Sequence, residues 1–150
     1  MDRMAELKAT VQGVLIENEP MSKHTSYGIG GPAWAYITPK DSVDLGNILH
    51  FATAADIQVH FVGSGSNLLV ADEGIDGIVL TLGKSFTQLE IQGNHVYAET
   101  GVMLGRMVKE CVKRNLSGLE SMIGVPGTVG GALIMNAGAF GGEISNCLQK

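Results

Sequence analysis

Apolar residues stand at helical spacing at Leu7, Val11, Val14 and Leu15, and Asn18-Glu19-Pro20 stops the pattern, so a short helix is predicted within residues 5–17. His24-Thr25-Ser26-Tyr27-Gly28-Ile29-Gly30-Gly31-Pro32 cannot hold regular structure and reads as a loop feeding an alternating strand over residues 33–38. Asp41 is placed to cap a helix over 42–55 whose apolar face is Val43, Leu45, Ile48, Leu49 and Ala52. Residues 57–62, 68–70 and 78–82 read as strands, with a loop at 63–67. Residues 1–85 are thus expected to form a β-α-β-β unit with a right-handed crossover.

From Phe86 the pattern changes. Leu89 and Ile91, then Val96 and Ala98, flank Gly93-Asn94, the signature of two antiparallel strands joined by a tight turn. Residues 103–115 place Leu104, Met107, Val108, Cys111 and Val112 on one helical face, and residues 118–142 form a glycine-studded stretch around a short apolar helix near 128–136. A second subdomain over 86–150 is expected.

Composition narrows this to one globular domain or a piece of one: 150 residues, 45% hydrophobic and 17% charged. The 21 glycines are about twice the ordinary share and cluster, which implies close backbone approaches. A net charge of -5 argues against a nucleic-acid partner, so any phosphate must be held mostly by backbone N–H groups. Charges scattered through the first eight residues, and no 18-residue apolar run afterwards, lead us to expect a cytoplasmic protein without membrane association. Cys111 and Cys147 lack C-x-x-C spacing and read as packing residues; His24, His50, His60 and His95 are dispersed, so no metal site is expected.

Familiar nucleotide motifs fail in detail. Gly63-Ser64-Gly65-Ser66-Asn67-Leu68 lacks the third glycine of a dinucleotide fingerprint and leads into another strand, while Gly83-Lys84-Ser85 has no P-loop glycine before it. What remains at 63–67 is a loop whose glycines let successive N–H groups converge on an anion, with Ser64, Ser66 and Asn67 as added donors. That suits a pyrophosphate cradle; a plain turn between strands would have the same composition. Residues 118–143 mix small and apolar side chains, which lets a chain lie flat on a planar ring, and a helix starting near Thr128 would aim its positive end at an anionic edge. Close helix packing through Gly130-Gly131 is the other reading. Glu120 and Glu143 read as solvated or capping residues.

Taken together, Gly63-Ser64-Gly65-Ser66-Asn67-Leu68-Leu69, Ile123-Gly124-Val125-Pro126-Gly127-Thr128-Val129-Gly130-Gly131-Ala132, Asn136-Ala137-Gly138-Ala139-Phe140-Gly141-Gly142-Glu143 and the upstream His24-Thr25 with Gly30-Gly31-Pro32-Ala33 resemble the UDP-N-acetylenolpyruvoylglucosamine reductase family in order and spacing. A Gly-Ser-Asn loop alone would point only to the wider vanillyl-alcohol-oxidase-like fold. The resemblance implies an α+β FAD-binding fold of the vanillyl-alcohol-oxidase-like (PCMH) type, with two α/β subdomains, the second truncated, and without the C-terminal substrate domain. It implies that Gly63, Ser64, Gly65, Ser66 and Asn67 hold the FAD pyrophosphate. Ile123, Pro126, Gly127, Thr128, Val129, Gly130 and Gly131 would approach the isoalloxazine, with Asn136, Gly138 and Gly101 nearby.

The family's chemistry takes hydride from NADPH through FAD to a UDP-sugar enolpyruvyl substrate in peptidoglycan synthesis, with a serine supplying the proton. The family's Tyr-Arg motif, its serine and its carboxylate would all fall beyond the point matching Lys150, so no catalytic residue is assigned and this chain alone is expected to be inactive without the C-terminal half. Another flavin oxidase of the same superfamily and a non-catalytic flavin-binding fragment are the alternatives.

Overall fold

The computed structural model of the chain describes residues 2–149, and the outermost residues of the expected ranges 1–85 and 86–150 lie outside that span. Two compact units divide between Ser85 and Phe86.

The first unit is built on a four-stranded sheet of order β1-β2-β4-β3, from β1 (Val14–Pro20), β2 (Pro32–Thr38), β3 (Val59–Val62) and β4 (Ile75–Thr81). β1 runs antiparallel to β2, while β2 and β3 flank β4 in parallel. β4 is buried continuously from Gly77 to Thr81, as its Ile78-Val79-Leu80 run demands of a parallel strand covered on both faces. Side-chain alternation sends Ile78 and Leu80 with Ala35 and Ile37 to one face, against Leu7, Ile48 and Ala52 of the helices α1 (Arg3–Thr10) and α2 (Ser42–Ala54). Val79 and Tyr36 go to the other face with Met21, Val62 and Val70. That second face is covered by the irregular segments 21–31 and 63–74.

Three sequence expectations change here. The N-terminal helix ends at Thr10, and residues 14–20 form β1, paired along β2 from Val14↔Thr38 to Pro20↔Pro32. The ladder satisfies every second backbone group of an edge strand that tolerates Pro20 at its end, and the helical spacing of Val14 and Leu15 is coincidental. Residues 68–70 make no ladder; Val70 is buried and Leu69 exposed, so the apolar run is cover for the sheet and not a strand of it. On α2, Val43 is 67% exposed while Asp44 is fully buried.

Asp44 is explained by its partners. Asp41 caps α2 by accepting from the N–H groups of Val43 and Asp44. The Asp44 carboxylate reaches back to accept from the N–H groups of Gln12 at 2.9 Å, Gly13 at 2.8 Å and Lys40 at 2.8 Å. It ties the α1–β1 turn to the start of α2 and satisfies three donors that lie in partly buried surroundings.

In the second unit, β5 (Leu89–Gln92) and β6 (His95–Ala98) form the expected hairpin, with Gly93 at φ +58° in its two-residue turn. Helix α3 (Leu104–Lys113) buries Leu104, Met107, Val108 and Cys111 against Val102, Met122, Val129, Ala132 and Ile144, and leaves Val112 56% exposed. A six-residue helix α4 (Val129–Ile134) and a small ladder of β7 (Gly138–Ala139) with β8 (Gly142–Glu143) complete it. Cys147 is exposed, with its Sγ 2.9 Å from the Gly118 carbonyl, and so differs from the packing role read for it. Burial pushes the Cys111 thiol above its ordinary pKa, which suits an inert core position. No helix among the described residues is long and apolar enough to cross a membrane.

Asp44→Ala should destabilise the chain by about 3 kcal/mol, because it strands three N–H groups at once, whereas Asp41→Ala removes one cap and should cost about 1 kcal/mol. Urea midpoints of the two variants test this, and equal shifts would contradict the role given to Asp44.

Candidate functional site

The 63–67 loop leaves the end of β3, where Val62 pairs with Thr81 of β4. Gly63, Ser64 and Asn67 are exposed, Ser66 is half-buried and Gly65 is buried. Gly65 sits at φ +69°, and a Cβ there would overlap the His24 carbonyl oxygen. Its own carbonyl accepts the Ser26 N–H at 3.0 Å. The glycine at this position is thus required first by the protein's own backbone, which holds the loop open toward solvent on its polar side.

Beneath the loop lies a polar cluster that sequence reading did not single out. Glu19 on β1 is 8% exposed, and its Oε1 lies 3.0 Å from His24 Nε2, with Lys23 Nζ 3.3 Å from Oε2. The His24 ring stacks on Tyr36 at 4.0 Å between centroids. The His24 hydrogen bond holds the Glu19 carboxyl below the ordinary carboxylate range, with help from Lys23 and against its burial. Burial raises the Tyr36 hydroxyl pKa, partly offset by its bond to Thr81. The sequence signal was weak: Glu19 stands in the polar run Glu17-Asn18-Glu19 that follows Val14-Leu15-Ile16, five residues before His24.

In the second unit the expected ring-facing residues divide by exposure. Ile123 is 58% exposed, and Pro126 and Gly131 are exposed; Gly127, Thr128 and Val129 are buried and Gly130 is half-buried. Residues 127–130 are fixed by an antiparallel bridge between Met103 and Thr128. Around it Leu104 N–H donates to Gly127 O at 2.9 Å, Val129 N–H to Val102 O at 2.8 Å and Gly130 N–H to Thr100 O at 2.8 Å. Thr128 caps α4 by accepting from Gly131 N–H at 3.3 Å. The first N–H groups of α4 are therefore used inside the unit, so the expected anion-directed helix start is not available; the bridge has consumed its donors. Gly130 is a packing glycine, since a Cβ would stand 2.9 Å from Thr100 Cβ, whereas Gly131 would meet only its own cap oxygen at 3.4 Å.

Gly101 is buried, donating its N–H to Phe86 O at 2.8 Å. Asn136, at φ +44°, donates to Glu143 Oε2 at 2.7 Å and accepts from Ser145 N–H at 3.2 Å, and Gly138 packs where a Cβ would meet Gly142 O at 2.6 Å. Glu143 is thus a structural acceptor. Glu120 accepts from Gly118 N–H at 2.7 Å, and backbone N–H groups hold its carboxyl below the ordinary range, so it too serves the local turn. The lowered Glu120 pKa is the opposite of what a general acid needs. An exposed apolar group flanks these segments: Ile134 at 87%, Met135 at 60% and Phe140 at 90%. A separate cavity of about 1280 Å³ in this unit is lined by Glu90, Tyr97, Met107, Cys111, Leu133 and Ile144. Among the described residues no group of three His, Cys, Asp or Glu side chains could hold a metal ion.

The FAD binding domain family matches residues 33–150. The UDP-N-acetylenolpyruvoylglucosamine reductase of Bacillus licheniformis is 43% identical over 151 residues, covering 100% of this chain and 50% of the relative. The crystal structure of the corresponding reductase of Thermus caldophilus superposes with a TM-score of 0.72 at 33% identity, covering 89% of this chain and 46% of that one. Cholesterol oxidase from B. sterolicum superposes at 0.64 with 18% identity, covering 85% of this chain and 25% of that one, a likeness of fold alone. The chain spans about half the length of the curated relatives it matches.

Gly130→Ala should lower stability by about 1–3 kcal/mol through overpacking on Thr100. Gly131→Leu should leave stability within about 0.5 kcal/mol yet lower flavin occupancy. Denaturation midpoints and bound-flavin absorbance on the same samples separate the two; equal stability losses would contradict the division between packing and exposed glycine.

Proposed function

The chain belongs to the FAD binding domain family in the form carried by UDP-N-acetylenolpyruvoylglucosamine reductases, and on that premise we propose that it forms the FAD-binding part of a cytoplasmic, NADPH-dependent reductase of peptidoglycan synthesis acting on an enolpyruvyl UDP-sugar. The observation that carries the reading is the 63–67 loop: an exposed Gly-Ser face at the end of the parallel edge strand β3, beside the buried β4, kept in shape by Gly65 at φ +69°. Such a loop presents small polar groups and backbone to a diphosphate without requiring a net positive charge.

The residues present fit the cofactor. Gly63, Ser64, Ser66 and Asn67 would hold the pyrophosphate, and Gly65 would set their geometry. Ile123, Pro126 and Gly131 offer exposed surface of the kind a flavin ring requires, while Gly127, Thr128, Val129 and Gly130 hold that surface in place. Gly101 and Asn136 support the same region through their backbone and side-chain bonds, and Gly138 through its pairing with Glu143 in the β7–β8 ladder. Bound FAD supplies hydride transfer between the nicotinamide and the enolpyruvyl carbon. Glu120 and Glu143 are committed to turns, and no proton donor is assigned within these residues. The two-subdomain division of FAD binding, residues 1–85 and 86–150, belongs to the same proposal, as does the dependence of turnover on polypeptide equivalent to the remaining half of the relatives.

The purified chain should acquire the absorbance bands of bound flavin on titration with FAD and should not oxidise NADPH with the enolpyruvyl substrate. Adding a polypeptide equivalent to the rest of a relative should produce substrate-dependent NADPH oxidation. Turnover by the chain alone would contradict the assignment of its residues to cofactor holding only.

A further inference from the structure

The Glu19–His24–Tyr36 cluster joins two anchors through one residue. By its side chain, His24 is fixed to the sheet: to Glu19 of β1 at 3.0 Å and to the Tyr36 ring of β2 at 4.0 Å between centroids. By its main chain it is fixed to the 63–67 loop, because its carbonyl fills the space that a Gly65 side chain would take, and the Ser26 N–H two residues on bonds Gly65 O at 3.0 Å. Local bonds stiffen the connection between them: His24 N–H to Met21 O at 2.8 Å and Thr25 Oγ1 to Ile29 O at 2.8 Å.

A carboxylate that is 8% exposed is costly to bury unless it is paired and bonded. Among the described residues Glu19 meets that condition through His24 and Lys23, and the Lys23 side chain is 62% exposed. The close partner that shares its burial is therefore the histidine. A solvent-facing loop with three exposed residues out of five has little packing of its own, so its conformation follows the segment beneath it.

We propose that Glu19, His24 and Tyr36 are positioning residues for the pyrophosphate loop: they lock the His24 main chain against Gly65, and so hold residues 63–67 in the shape that takes a diphosphate before the ligand arrives. The inference rests on the flavin reading above. Preorganisation of this kind raises affinity by removing the ordering cost of the loop from the binding step.

Two measurements on the full chain test it. The first uses no ligand: in His24→Ala, amide hydrogen exchange at Ser26 should rise by about tenfold or more, while the β2 and β4 amides change little. The second is titration with FAD: His24→Ala and Glu19→Val should weaken binding by about tenfold. Glu19→Gln keeps an acceptor for His24 Nε2 and should restore both readouts to near those of the unaltered chain, which a general loss of folding would not allow. Unchanged Ser26 exchange in His24→Ala overturns the inference whatever the flavin does. FAD affinity unchanged in a variant whose Ser26 exchange has risen overturns the link to binding. An unaltered chain that takes up no FAD overturns the flavin reading, and this use of the loop with it.

Discussion

A parallel strand buried on both faces is the constraint from which the first unit follows. β4 is covered from Gly77 to Thr81, and helices α1 and α2 cover only one side of it. The other side is roofed by segments 21–31 and 63–74, which have no ladder to satisfy their backbone groups and so must pair with one another. They do: Gly31 N–H bonds Ala71 O at 2.9 Å, Ser26 N–H bonds Gly65 O at 3.0 Å, and the 21–31 loop closes on itself through Met21 N–H to Gly31 O at 3.0 Å. Backbone-to-backbone contact at this range excludes side chains, which is why the glycines gather in these two segments. The candidate phosphate loop is one end of that roof.

The same constraint explains what could be read in the sequence. Periodicity located β2, α2 with its Asp41 cap, β3, the Gly93-Asn94 hairpin and α3, because each presents one apolar face at the period of its own geometry. It failed at residues 14–20 and 68–70 for a common reason. Short apolar runs carry no record of whether a partner strand is available, and one segment found β2 while the other found only the surface of the sheet. Asp44 was missed because its value lies in three distant N–H groups, which no local pattern records.

The candidate site shows a similar split. Motif order pointed to the right family, and composition singled out both glycine-rich segments. The division of labour within them was not legible: Gly65 and Gly130 touch protein backbone, while Gly63, Ser64 and Gly131 face outward. The helix start at Thr128 looked like an anion site, but its donors are taken by Thr100, Val102 and the Thr128 side chain through the Met103↔Thr128 bridge. Without those donors, and with a net charge of -5, the 63–67 loop is the segment we propose for phosphate recognition.

On that proposal the diphosphate, and not the ring, would be the part of the cofactor that decides affinity. Comparing FAD with riboflavin by equilibrium titration of the chain, with ADP as competitor, tests it most directly. The account predicts that FAD binds more than about tenfold tighter than riboflavin and that ADP displaces it. Riboflavin binding as tightly as FAD, with ADP without effect, would contradict it.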